Sequence, residues 1–413
     1  MTETSGLPEI HTSDYPNHWV VTRLKYLADI NNGLDYKHVQ SDQGFPVIGS
    51  GGQFAWASTY LYDGEAVLLG RKGTIDKPLY VKGKFWTVDT MFYAVCKRAA
   101  YAKYFYYLAT TIPFSFYSTS TALPSMTQSD LLNHAFAVPP KNEQIAIARF
   151  LDEKIVQIEN AIRTKEQQIA LLKERKQMLI QNAVIRGLNP DAPMRDSGED
   201  WIGVVPEHWE LRRVKSIFRL VMELSGKRHD HELLSIYTDI GVRPRKDLEE
   251  KGNKASTTDD YWLVRRGDFI VNKLLAWMGA IGLSEYEGVT SPAYDILRPV
   301  ADIDGQYYHY LFRTKLCTAE LKKRSRGIME MRLRLYFDRF GSLRVPLPPK
   351  SEQTEIVGFI TTESEKLDKA MDLLAQQITK LKEYKKTLIN SAVSGKIKVP
   401  GAVGQKEKEE TLV

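Results

Sequence analysis

Cations set between glycines are the first residues in this chain with chemistry to offer. Gly70-Arg71-Lys72-Gly73-Thr74 follows Glu65-Ala-Val-Leu-Leu69, which reads as a short buried strand entered from the turn at Asp63-Gly64. Glycines flanking two cations let the backbone approach an anion closely, so Arg71, Lys72 and Thr74 are candidate contacts to a phosphate or a base. At the matching place in the second half, after Asp268-Phe-Ile-Val271, stand Asn272, Lys273 and Trp277. Lys322-Lys-Arg-Ser-Arg326, followed by Arg332 and Arg334, is the densest basic cluster, and Arg324, Arg326, Arg332 and Arg334 join the candidates. Its first-half counterpart, Ser118 to Thr127 with Pro124, is uncharged and rich in hydroxyls. Arginine and lysine pair with phosphates or guanine edges, whereas hydroxyls and amides suit phosphates or adenine. A solvated charged face is the plain alternative for each group, and Arg243 with Arg245 makes a weaker pair still.

Catalytic chemistry is hard to find. The sequence has no GxxxxGK[ST] phosphate loop, no GxGxxG on a strand-turn-helix, no HExxH, and no Asn-Pro-Pro-aromatic motif of the amino-methyltransferase kind. Glu174-Arg-Lys176 and Glu383-Tyr-Lys385 have the form of a nuclease Glu-x-Lys, but a heptad pattern places both lysines in a helix seam, which makes them structural. His229-Asp-His231 is a close histidine pair without further ligand spacing, and no metal site is expected. Cys96 and Cys317 lie in separate halves and form no disulfide framework.

The elements that must carry these loops are repeated. Pro139-Pro140-Lys141-Asn142-Glu143-Gln144 returns as Pro348-Pro349-Lys350-Ser351-Glu352-Gln353, and Pro16-Asn-His-Trp19 as Pro206-Glu-His-Trp209. Each Pro-Pro motif opens a long heptad-patterned helix. One seam runs through Leu151, Ile155, Ile158, Ile162, Lys165, Ile169, Leu172, Lys176, Leu179 and Ala183; the other runs from Ile360 through Leu367, Ile378 and Lys385 to Ala392 in the same register. Asn142 and Ser351 are placed as N-caps, and Gly187 and Gly395 as C-terminal stops. Two such stripes predict an antiparallel coiled coil with pseudo-twofold symmetry, a spacer holding globular domains at its two ends, and such an object suits duplex DNA. Apolar residues off the seam, Ile147, Phe150, Ile180 and Val184 in one helix and Ile356, Phe359, Ile389 and Val393 in the other, serve either the chain's own domains or a protein partner. Tyr104-Phe-Tyr-Tyr-Leu108 and Tyr307-Tyr-His-Tyr-Leu311 read as one helix occurring twice.

The expected fold is α+β, with mixed α/β domains at 14–140 and 205–349, long helices at 141–187 and 350–396, a linker at 188–204, and a disordered tail at 397–413. Length supports two cores, and a net charge of +6 is compatible with a nucleic-acid partner without demanding one. No apolar run or N-terminal leader points to a membrane, so the expected location is the cytoplasm.

Met194-Arg-Asp-Ser-Gly-Glu-Asp-Trp-Ile-Gly203, Val205-Pro-Glu-His-Trp209 and the paired Pro-Pro-Lys-x-Glu-Gln helices resemble the specificity subunit of type I restriction-modification systems over nearly the whole chain. The resemblance implies two target-recognition domains, each reading one half of a split double-stranded DNA sequence. It also implies no catalytic centre and no cofactor bound by this chain. Two methyltransferase subunits would use S-adenosylmethionine, and a motor-nuclease subunit, where present, ATP. A DNA-modifying enzyme in its own right and a coiled-coil scaffold that never touches DNA are the alternatives.

Overall fold

The computed structural model describes residues 15–117, 124–227, 230–247, 258–327 and 333–401. Their contacts divide into two compact units, one of the described residues up to Lys165 with those from Gln376 onward, the other Glu166–Ala375. Each unit therefore takes part of both long helices, Lys141–Arg186 and Lys350–Val393, rather than one helix apiece.

In the first unit Val20–Arg23 pairs antiparallel with Ala135–Val138. Beside this pair, among the described residues, lies a sheet of seven strands ordered Ala28–Asn32, Met91–Cys96, Tyr62–Gly70, Leu79–Thr87, Phe45–Gly49, Gly52–Ala57 and Gln40–Ser41. The second unit repeats the framework with a smaller sheet. Glu210–Arg213 pairs with Arg344–Leu347, and Phe218–Val221, Tyr294–Pro299, Phe269–Asn272 and Ile281–Leu283 form the sheet. The strand leading to each candidate loop, Tyr62–Gly70 or Phe269–Asn272, has buried neighbours on both faces at its C-terminal end, which explains why its sequence is an unbroken apolar run. The tyrosine-rich helices Ala102–Ala109 and Gly305–Phe312 pack into these cores.

The long helices pair antiparallel within each unit. In the first, Leu151 and Ile155 share a core with Leu388 and Ala392; in the second, Ala183 shares one with Ile360. Lysines in the seam are neutralised across it: Lys385 Nζ lies 2.7 Å from Glu159, and Lys176 Nζ 2.7 Å from Asp368. These two ion pairs occupy the same repeat positions on exchanged helices. Both Glu-x-Lys matches are thereby structural.

The repeated motifs build a node in each unit. Glu143 accepts from Trp19 Nε1 at 3.2 Å and bonds His18 at 2.8 Å; Glu352 accepts from Trp209 Nε1 at 2.9 Å and bonds His208 at 2.8 Å. Gln144 ties the helix start to neighbouring backbone, accepting from Tyr101 N–H at 2.8 Å and donating to Pro139 and Ala99 carbonyls, while Gln353 accepts from Asp304 N–H at 2.8 Å and donates to Pro348. The opposite helix ends at the same node, where Tyr104 donates to the Val393 carbonyl and Tyr307 to that of Val184. Gly395 and Gly187 follow with φ of +73° and +74°, packed on Trp19 and Trp209.

Some expectations are corrected. The helices begin at Lys141 and Lys350, so Asn142 and Ser351 lie inside the first turn, and the carbonyls of Pro140 and Pro349 accept the first helical N–H groups. The segment read as a linker is folded: Met194–Asp196 pairs with Val204–Pro206, and Trp201 and Ile202 are buried in the second core. The tail is placed as far as Gly401, with Val399 buried in the first core; the rest lies outside the described residues. The last two of these three corrections have one cause, a few apolar residues within a polar stretch that find a core to enter.

Candidate nucleic-acid interface

The loop after Tyr62–Gly70 is shaped by its glycines. A Cβ on Gly70 would collide with the Thr74 carbonyl and lie 2.5 Å from Ile75 Cα, and Gly73 has φ of +82°. The N–H groups of Arg71 and Lys72 both donate to the Thr90 carbonyl, at 2.9 and 3.2 Å. Gly73 N–H donates to the Pro124 carbonyl at 2.9 Å and Met126 N–H to that of Arg71 at 3.0 Å, so the basic loop and the end of the hydroxyl-rich segment become one surface; residues 118–123 lie outside the described residues. Arg71 is half-buried, its guanidinium 5.7 Å from the Phe92 ring centre, while Lys72 and Thr74 are exposed.

The second unit repeats the stitch. Leu335 N–H donates to the Lys273 carbonyl at 2.8 Å, at the repeat position of the Met126 bond, which joins the loop after Phe269–Asn272 to the segment following the basic cluster. Arg326 and Arg334 exchange backbone hydrogen bonds of 2.9 and 2.8 Å. The structure thus brings together candidate residues far apart in sequence in the second unit, and in the first joins the candidate loop to the hydroxyl-rich segment.

Their roles divide. Asn272 is buried, and its Oδ1 accepts from Leu274 N–H at 3.1 Å. Lys273 Nζ is paired with Asp295 at 3.1 Å; burial raises the Asp295 carboxyl above its ordinary range, against the opposing pull of Lys273. Arg324 pairs with Glu320 at 2.8 Å. These three side chains are engaged within the protein, Asn272 and Lys273 on the loop and Arg324 on its neighbouring helix, because a part-buried polar group needs a partner. Arg326 and Arg334 point outward, Arg326 with a loose 3.7 Å pair to Asp338 and Arg334 exposed with no ion pair among the described residues. Arg332 and His229 lie outside the described residues.

The sequence reading missed two features. Leu274, Leu275 and Met278 are exposed on the loop beside Trp277, over whose ring Lys322 Nζ sits at 5.0 Å; the run Leu-Leu-Ala-Trp-Met after a strand was the available signal. Arg313 is half-buried and makes no carboxylate hydrogen bond among the described residues; its guanidinium donates instead to carbonyls of Thr238 at 2.7 Å, Asp239 at 2.9 Å and Gly279 at 2.9 Å. Burial, with Arg313 and Arg243 nearby, lowers His309 to about 3; its Nδ1 accepts from Leu283 N–H at 3.2 Å. Together they hold the backbone at the C-terminal side of the loop and at the neighbouring turn of Thr238 and Asp239. No local pattern marks them.

The candidate partner contacts are also redistributed. Ile147 and Val393 are buried in the first core, Val184 and Ile356 in the second, and Phe150, Ile180 and Ile389 pack partly against those cores. The first four are closed to any partner, since the helix ends lie under the units' own sheets and short helices. Phe359 is 40% exposed.

A family model for the type I restriction modification DNA specificity domain matches residues 16–172 and 206–383, once for each repeat. The chain belongs to this family. Its members are noncatalytic specificity subunits. A curated relative, the type I restriction enzyme MjaVIII specificity subunit of Methanocaldococcus jannaschii, is 22% identical over 82% of this chain and 78% of its own length. The fold is shared with a chain solved in work on complex assembly and conformational transition of the type I R-M system (TM-score 0.69, 14% identity, 93% of this chain and 99% of that one). It is shared also with the HsdS subunit from Thermoanaerobacter tengcongensis (TM-score 0.51, 13% identity, 93% and 98%). Among the described residues no helix is long and apolar enough to cross a membrane.

Proposed function

We propose that this specificity subunit reads a bipartite double-stranded DNA target, one half-site per unit, and positions methyltransferase subunits on it, two in number, with a motor-nuclease subunit where the system has one. The reading rests on the stitched loop pair. The same backbone bond, Met126 to Arg71 and Leu335 to Lys273, joins the same two loops in both units, while the exposed side chains on them differ completely. A constant frame carrying divergent loops suits two readers of different sequence. Lys72, Thr74, Arg326 and Arg334 are the outward polar groups for phosphates and base edges.

The chain binds no cofactor in this reading; S-adenosylmethionine and ATP are used by partner subunits, in the cytoplasm. The partners dock on surfaces the two cores leave open, Phe359 being the one original candidate that qualifies by exposure. The test is a methylated-adenine map of a genome expressing the chain with its methyltransferase, repeated for alanine variants of Lys72, Arg326 and Arg334. A base reader should relax one half-site at a cost of about 1–3 kcal/mol, whereas a phosphate contact should weaken binding uniformly. Unchanged methylation in every variant would count against these residues. Methylation by the purified chain alone would revive the enzyme reading, and failure to retain bipartite DNA with its partners would favour the scaffold.

A further inference from the structure

We infer that Leu274 and Leu275 are specificity-determining residues of the second unit, contacting the 5-methyl group of a thymine in that unit's half-site; the inference rests on the proposed DNA-reading function and names part of what is read. The loop is arranged opposite to what solvation favours. Its polar residues turn inward, Asn272 onto Leu274 N–H and Lys273 onto Asp295, and Ala276 is buried. The two leucines stand outward at 40% exposure each. Holding large apolar side chains in water forgoes burial that each would gain in a core, so the arrangement suits an apolar contact made on binding.

The surroundings identify the occupant. Lys322 covers Trp277, the third residue after Leu274, while the Leu335–Lys273 bond and the Arg326–Arg334 bridge bring two outward arginines to the loop. An apolar pair rimmed by cations matches a polyanion that carries an apolar feature. Among base edges in the major groove, that feature is the thymine methyl. The corresponding loop of the first unit offers Arg71, Lys72, Gly73 and Thr74 and no large apolar residue, so methyl dependence should be confined to one half-site.

The test uses the chain with its methyltransferase partner and duplexes of the mapped target in which each thymine is singly replaced by deoxyuridine, which pairs identically but lacks the methyl. Binding should fall roughly tenfold at a thymine of one half-site and remain unchanged throughout the other. The double variant Leu274→Ala/Leu275→Ala should bind the intact target more weakly and be indifferent to that same replacement. A half-site pair without such a thymine, insensitivity to every uridine, or an equal uridine effect in the double variant would overturn the inference while leaving DNA reading intact. Wild-type protein that does not prefer the mapped duplex over a scrambled one would instead remove the proposed function beneath it. The uridine series needs no change to the protein, so a variant that misfolds does not block the decision.

Discussion

Gly395 and Gly187 hold equivalent places, yet their surroundings differ enough to separate two costs. Both have φ near the left-handed region, where a Cβ costs roughly 1–2 kcal/mol. At Gly187 the added atom would meet Glu352 Oε1 at 3.1 Å and Trp209 at 3.2 Å, a tight fit with one movable neighbour; at Gly395 it would run into the rigid Pro16 ring. Gly395→Ala should therefore destabilise the protein more than Gly187→Ala, and denaturant titration of the two variants measures the difference. Glu352 tests the same node from its other side. Removing its carboxylate leaves the Nε1 of Trp209, a residue only 1% exposed, without an acceptor, so Glu352→Ala should cost about 1–3 kcal/mol. The repeated Glu was legible in the sequence as a helix-start residue; its bonds to His and Trp more than a hundred residues away were not.

The loop-bearing elements of the second unit depend on a neutral histidine. Burial holds His309 at about 3, below its ordinary 6.5, so between those values the unfolded chain binds a proton that the folded one refuses. The contribution is present above about 6.5 and is lost as pH falls towards about 3. His309→Gln should flatten that part of the stability profile, to be read as the pH dependence of the unfolding midpoint of variant against wild type. A profile identical to wild type would show that His309 is protonated without penalty. Nothing in Tyr307-Tyr-His-Tyr-Leu311 announced this, because burial of one helix face is decided by the sheet against it.

For the molecule as a whole the paired helices are the common part. Deleting Glu166–Leu172 from one helix alone moves Lys176 out of step with Asp368 while Lys385 keeps Glu159, so the two seams can no longer both be satisfied. Under the proposed function this deletion should abolish assembly with the methyltransferase or retention on the bipartite duplex, as measured by co-purification and by gel shift; unaltered binding of the original site would exclude a spacing role for the helices. Periodicity and repetition determined much of this protein from sequence alone: the long helices, their antiparallel seam, the duplicated framework and the family resemblance, because heptads and proline-bounded helix starts are local signals. Only tertiary structure decided which cations face outward. In the sequence Lys273 reads like Arg326 and Arg334, but Asp295, brought in from another strand by the fold, takes it up, and no spacing rule reports such a contact.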